Sequence, residues 1–279
     1  LMFLTEMGTL MVRPGEVVLI PRGLRFSVFL LDGAARGYVG ETFGYGFELP
    51  ERGPVGANGM TEARHFRIPE PWFEDRLRRA YRITAKLGGE LYDAHQDYSP
   101  YDVVAWHGNY TPYVYDLANY SPVTAGRFDH PDPSIYSVLS APLDERGGHA
   151  LDLVYFPPRW DVSEDTFRPP FFHRNATTEI NGIIMDPDGD EPPFYAGGLF
   201  ITPSMTPHGV RHRAVEKVFM SRGQHDEPSR TSDDSMWFQF ESALPISLTP
   251  WAKASPTRMA DWHDQWGAYR SFFDPNDEV

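Results

Sequence analysis

Two imidazoles and one carboxylate stand near one another in a strand-like stretch: His173 and Glu179 in FFHRNATTEINGIIM, and His208 in MTPHG. Two histidine nitrogens and one carboxylate oxygen form the donor set of a non-haem Fe(II) site with positions left open for oxygen and a substrate. The same donors accept zinc or manganese, so ligand identity alone does not choose the ion. The three can act together only if the chain folds them together. A straight strand rises about 3.3 Å per residue, which would set His173 and Glu179 roughly 20 Å apart. Ligands on one ion must lie on the order of 3 Å apart, given bonds of about 2.0–2.2 Å. A reversal is therefore expected between them, and Asn175-Ala176-Thr177 offers turn chemistry for a hairpin at a barrel mouth. His208 would arrive from a separate strand.

Other histidines carry weaker signals. His130 lies in RFDHPDPSIYS, a loop bounded by prolines. It reads either as a loop histidine bonded to backbone or as a base of near-neutral pKa that takes a phenolic proton, oriented by Asp129 or Asp132. His107 and His149 read as structural, and His212 and His225 fall in a charged surface segment.

The elements that must position these residues are mostly strands. Gly and Pro make up 50 residues (24 and 26), which suits short strands joined by turns better than a helical bundle. Residues 1–50 read as β, with apolar runs separated by Pro-Gly and Arg-Gly signals. Residues 51–71 read as a turn-rich linker. Residues 72–86 show a helical stripe of Trp72, Leu77, Ala80 and Tyr81 that predicts a core-facing helix. Strands are expected again in SIYSVLSA, ALDLVYFP, residues 171–185, residues 193–208 and Ser235–Glu241. After Pro250 the chain is expected to turn helical, with Trp251, Met259, Trp262 and Trp266 docked on the sheet.

Bulk properties exclude several classes. The net charge of −14 opposes binding to nucleic acid or an anionic membrane surface. With no cysteine, disulfide frameworks, thiolate metal sites and cysteine nucleophiles drop out. No run of eighteen apolar residues suggests a membrane span, and the first residues lack the charged start of a signal peptide.

One pattern occurs twice. Gly15, five residues, then Pro21-Arg-Gly23-Leu-Arg-Phe26 is matched by Gly197, five residues, then Pro203-Ser-Met205-Thr-Pro-His208. Both follow the spacing G-x5-P-x-G-x2-H of the second cupin motif. Phe26 replaces the ligand in the first copy, and Met205 replaces the inner Gly in the second. The pair suggests two β-sandwich units of common ancestry, one without metal ligands and one competent to bind metal. The fold class expected is β-dominant: two cupin-like jelly-roll units, the first partial, with a connecting helical or loop segment and a C-terminal helix. The divisions are 1–60, 61–127 and 128–279.

Longer blocks carry a more specific resemblance: RGLRFSV at 22–28, ELPERGPVGANG at 48–59, DVVAWHGNYTPY at 102–113, FDHPDPSIYSVLSA at 128–141 and VYFPPRWDVSEDTFRPPFFHRN at 154–175. Together with MTPHG, in this order, they resemble the homogentisate 1,2-dioxygenases over most of the chain. The resemblance implies one Fe(II) held by His173, Glu179 and His208, with His130 as base. It implies cleavage of homogentisate with O2 to maleylacetoacetate, in tyrosine and phenylalanine breakdown in the cytoplasm, by a homo-oligomer (a trimer, or a hexamer of two trimers). The family pattern has a substrate-contacting His where this chain has Thr202, and a Tyr where it has Asp188. An acid at position 188 would repel the substrate carboxylate. The family also carries a longer N-terminal part, so a fragment or shortened homologue is expected. Two further readings follow: a related dioxygenase acting on another hydroquinone-type acid such as gentisate, and a metal-poor cupin that binds a small molecule.

Overall fold

Short apolar runs punctuated by Gly and Pro become strands in the computed structural model, which describes residues 1–50, 61–75, 77–103, 110–122, 136–145, 148–161, 172–187, 194–209, 211–212, 216, 229–230 and 234–269. Two units divide the chain. One comprises Leu1–Val39 with Met60–Ser121, the other Gly40–Gly59 with Pro122–Val279.

In the first unit, β1 (Met2–Thr5), β2 (Gly8–Met11), β3 (Glu16–Leu19) and β4 (Phe26–Phe29) come from the Pro-Gly-rich N-terminal stretch. β1 lies between β2 and β4, antiparallel to both. Phe3, Leu10, Val12 and Val114 form its buried cluster. Residues 61–121 supply β5 (Leu77–Leu87), β6 (Glu90–Tyr98) and β7 (Tyr113–Asp116), and β7 pairs with β3.

The helix expected over 72–86 is instead β5, one arm of a hairpin with β6. Two local features override the helical stripe. Tyr81, Ile83, Ala85 and Leu87 alternate with Arg82, Thr84 and Lys86, a period of two. Gly88 and Gly89, at φ +59° and +85°, form the two-residue turn that joins antiparallel strands of the right twist.

The second unit holds β8 (Ser137–Pro142), β9 (His149–Phe156), β10 (Trp160–Asp161), β11 (Thr178–Met185), β12 (Leu199–Thr202), β13 (Ser229–Arg230) and β14 (Met236–Ser242). Five of them form one antiparallel sheet in the order β12-β11-β14-β9-β8. Cross-strand partners share a face, so the register sorts the residues. Ile180, Phe240 and Leu153 form one row, and Gly182, Phe238 and Tyr155 the next. This is the apolar face. Glycine suits position 182, because a Cβ there would collide with Cε1 and Cζ of the Phe238 ring.

The helical C-terminal segment is shorter than expected. One turn, α1 (Pro250–Lys253), starts at Thr249, whose hydroxyl accepts from Ala252 N at 3.2 Å. Pro256 follows within three residues of its end, where a proline cannot continue a helix. A 3-10 turn covers Trp262–Trp266. Trp262 does dock, 5.6 Å from the Phe200 ring of β12. Trp251, expected against the sheet, is 81% exposed. No helix among the described residues is long and apolar enough to cross a membrane.

Candidate metal centre

The other face of the five-stranded sheet is polar. One row runs Thr202, Glu179, Glu241, Asp152, Ser140, and ends on the isolated bridge partner Glu48. A second row places Asn181 opposite Gln239. Glu179, Asp152, Asn181 and Gln239 are all buried. Burying such groups costs several kcal/mol unless each finds a partner. Gln239 Nε2 donates to Glu241 Oε1. Ser140 Oγ donates to Asp152 Oδ1 at 2.6 Å and also lies 2.7 Å from His149 Nδ1. Burial pushes the Asp152 carboxyl above its ordinary pKa, opposed by Ser140 and His149. A face carrying this many carboxylates attracts cations.

Glu179 is 4% exposed, and its neighbours explain why a carboxylate sits there. His173, Glu179 and His208 bring one ligand atom each to within 4.8 Å of one another. Among the described residues no second group of three such side chains converges in this way. The hairpin expected between His173 and Glu179 is absent. His173 bridges His208, each backbone N–H donating to the other's carbonyl at 2.9 Å, and Glu179 lies opposite Thr202. Six steps separate the two pairs on either strand, so both segments run antiparallel in one register and leave the ladder together between the pairs. The bend that shortens the path comes from Asn175, whose Oδ1 accepts from Thr177 N at 3.1 Å. On the facing segment a β-turn closes with Thr206 N donating to Pro203 O at 3.1 Å. Asn175-Ala176-Thr177 is thus an arch in a continuing strand, because both of its ends are committed to the same partner strand.

The imidazole of His208 has a fixed tautomer. Its Nδ1 lies 2.9 Å from the Thr206 carbonyl. A carbonyl only accepts, so Nδ1 carries the hydrogen and neutral His208 presents the Nε2 lone pair. Nε2 is buried and makes no hydrogen bond among the described residues, although Glu179 Oε2 is 3.1 Å away. With Nε2 unprotonated, these two atoms can face one cation together. The Glu179 carboxylate holds the His208 imidazole above its ordinary pKa, against the opposing effect of burial and with help from the Thr206 carbonyl. The two imidazole rings are 4.3 Å apart at 59°. An orphaned lone pair, a buried anion and a second imidazole fit a divalent ion that takes nitrogen and oxygen.

Thr202 sits on β12 opposite Glu179 and projects to the same face. His130 and Asp188 fall outside the described residues, as do His107 and His225. His149 is bound to Ser140, and His212 Nδ1 donates to the Gln265 carbonyl at 2.9 Å. Sequence reasoning missed the Thr206 carbonyl and the side-chain role of Asn175. It also missed the carboxylate row, although the alternation in β9 and β14 (Asp152, Val154; Gln239, Glu241) carried the signal.

Comparison with known proteins adds an independent finding. The family described as "Homogentisate 1,2-dioxygenase N-terminal" matches residues 1–117, and "Homogentisate 1,2-dioxygenase C-terminal" matches residues 118–273. The chain is 49% identical over 278 residues to homogentisate 1,2-dioxygenase of Oryza sativa subsp. japonica, covering 98% of this chain and 58% of that protein. It is 43% identical over 279 residues to the Homo sapiens protein of the same name, covering 99% and 62%. With the one from Rhodopseudomonas palustris the figures are 43%, 99% and 61%. The chain therefore spans about three fifths of the length of these relatives.

Proposed function

Because the chain belongs to the homogentisate 1,2-dioxygenase family, we propose that it carries the catalytic centre of an Fe(II)-dependent dioxygenase that opens homogentisate with O2 to maleylacetoacetate. The observation that carries this reading is the approach of one ligand atom each from His173, Glu179 and His208 to within 4.8 Å of one another. Fe(II) bound there would supply the redox chemistry that joins O2 to the aromatic ring, both oxygen atoms entering the product. The chain's own part is positional and acid–base. His173 and His208 offer imidazole nitrogens, Glu179 offers one carboxylate oxygen, and three protein ligands leave room for the ring and for O2 side by side. His130 takes the proton of the ring hydroxyl that turns toward the centre. Thr202 and Asp188 contact the substrate, Thr202 from beside Glu179.

The domain reading goes with this proposal: residues 1–60 as a partial cupin-like unit without metal ligands, 61–127 as connection, and 128–279 as the catalytic unit. So do a cytoplasmic setting, with which a cysteine-free chain is compatible, and assembly as a homo-oligomer. The β5–β6 hairpin supports the assembly, since Leu87 and Tyr92 are 63% and 51% exposed, and an isolated two-stranded hairpin is marginal in water.

A second substrate is favoured by one feature. Thr202 faces the ligand Glu179 where the family pattern has an imidazole, and an acid stands at 188. A hydroquinone-type acid with a differently placed carboxylate, such as gentisate, would suit such a pocket. Oxygen uptake by protein loaded anaerobically with Fe(II) decides. Uptake with homogentisate and release of the ring-opened acid is the expected result. Uptake with gentisate alone would transfer the proposal to that ring, and no uptake with either would end it.

A further inference from the structure

We infer that Asn175 is the positioning residue of the metal centre: its side-chain amide occupies Oε1 of Glu179 and so turns Oε2 toward the two imidazoles. The inference rests on reading His173, Glu179 and His208 as metal ligands. Asn175 is placed between the first two in sequence and makes three separate contacts. Its Nδ2 donates to Glu179 Oε1 at 3.3 Å. Its Oδ1 accepts from Thr177 N at 3.1 Å. Its backbone carbonyl accepts from Met205 N at 2.7 Å. The second contact settles the orientation of the amide, because a backbone N–H must meet the oxygen, so the group facing Glu179 is the NH2.

Two of the contacts act on Glu179 and one on His208. The Oδ1 contact makes the arch that lets Glu179 come back to His173. The carbonyl contact ties down the turn that delivers His208. The Nδ2 contact divides the labour of the carboxylate: Oε1 is engaged by a donor, and Oε2, 3.1 Å from His208 Nε2, remains for the ion. A carboxylate free to rotate could offer both oxygens to one ion and fill a position needed for O2 or substrate. A neutral amide is suited to the task. It donates to a buried anion, whereas a Lys or Arg in its place would neutralise the charge and compete with the metal.

The test uses the full chain, Co(II) as the probe ion, and three readouts: affinity by competition with a chromophoric chelator, the visible spectrum of the bound Co(II), and thermal melting without metal. Asn175→Ala removes both side-chain contacts. Asn175→Asp keeps the acceptor for Thr177 N and replaces only the donor, so it preserves the arch if the alanine variant fails to fold. Both variants are expected to bind Co(II) about 10–100-fold more weakly. In Asn175→Asp the spectrum is expected to change to that of a higher coordination number, with the fold intact. Wild-type affinity and spectrum in Asn175→Asp would overturn the positioning role alone, provided His208→Ala has lost the ion. No saturable binding in the wild type, or undiminished binding in His208→Ala, would overturn the ligand reading and this inference with it.

Discussion

Replacing Glu179 by Gln should separate metal binding from folding, because the surroundings of this side chain accept a neutral amide. Glu179→Gln keeps the shape of the side chain. The amide oxygen can still accept from Asn175 Nδ2, which now holds Oε1 at 3.3 Å. The amide nitrogen would lie where Oε2 is, 3.1 Å from His208 Nε2. His208 Nε2 carries a lone pair, since Nδ1 gives its hydrogen to the Thr206 carbonyl, so the new amide can donate to it. The substitution also removes a charge from a residue only 4% exposed, and burying an anion without a full set of partners costs several kcal/mol. Melting of the metal-free variant is therefore expected at or slightly above the wild-type temperature. Metal affinity should go the other way. Loss of a residue behind a ligand costs about 10–100-fold, and loss of the anionic ligand itself should exceed the upper end, roughly 2.8 kcal/mol or more at 1.4 kcal/mol per decade. Anaerobic titration against a chromophoric chelator measures it, and Thr202→Ala, on the same face but outside the cluster, serves as the control. A variant that holds metal within a few-fold of the wild type, or one that loses metal only because it unfolds, would refute the reasoning.

Met205→Gly should raise the melting temperature. Met205 sits at φ +60°, which costs an L-residue roughly 1–2 kcal/mol, against about 0.5–1 kcal/mol for the freedom glycine adds to the unfolded chain. With the side chain 53% exposed, little packing is lost, and a rise of about 1–4 °C is expected by calorimetry. Asp152→Asn should flatten the pH dependence of stability. Burial raises the Asp152 pKa in the folded state, so its contribution is fully present below the unfolded pKa and is lost as pH rises through the folded one. The variant should melt above wild type at neutral pH and lose that advantage in acid; a constant difference at every pH would contradict the assignment. His130→Asn should retain metal yet slow ring opening on the order of 10²–10⁴-fold, and full turnover would remove His130 from its role.

The legible parts of the sequence were those in which one local signal acted alone. β8, β9 and β14 lie where apolar runs are bounded by turn residues, and the three ligand atoms converge where residue type and the Pro203–His208 spacing pointed. The errors arose where two signals competed. At 72–86 a stripe of Trp72, Leu77, Ala80 and Tyr81 suggested a helix, but strict alternation beyond Tyr81 and the Gly88-Gly89 turn decide for a strand. At 173–179 distance arithmetic rightly demanded a shortened path and wrongly supplied a hairpin. Local sequence cannot show that His173 and Glu179 are both paired to the strand carrying His208 and Thr202, which is a long-range fact. The same limit hid the row from Thr202 to Glu48, because it crosses five strands and exists only once the register is set.

The repeated motif uses one backbone device in both units. In both copies the leading glycine has positive φ, +82° at Gly15 and +98° at Gly197. In both, a turn closes from the proline carbonyl to the residue three positions on, Pro21 to Leu24 and Pro203 to Thr206. In both, the third turn residue is left-handed, Gly23 at +88° and Met205 at +60°, as a type II turn requires. Two positions beyond the turn the chain re-enters a ladder, and the pair formed there is Phe26 with Thr5 in one unit and His208 with His173 in the other. The backbone work is the same, but one pair presents a phenyl ring and a hydroxyl and the other presents two imidazoles beside a buried carboxylate. Phe26 is stacked 6.2 Å from Phe3, an apolar use of the position that holds Nε2 of His208 in the other copy. The two copies thus differ in side-chain identity at the first pair after a turn that both units build. That left-handed position is held by glycine in the first copy and by a methionine in the second, which carries roughly 1–2 kcal/mol of backbone strain beside the three converging side chains.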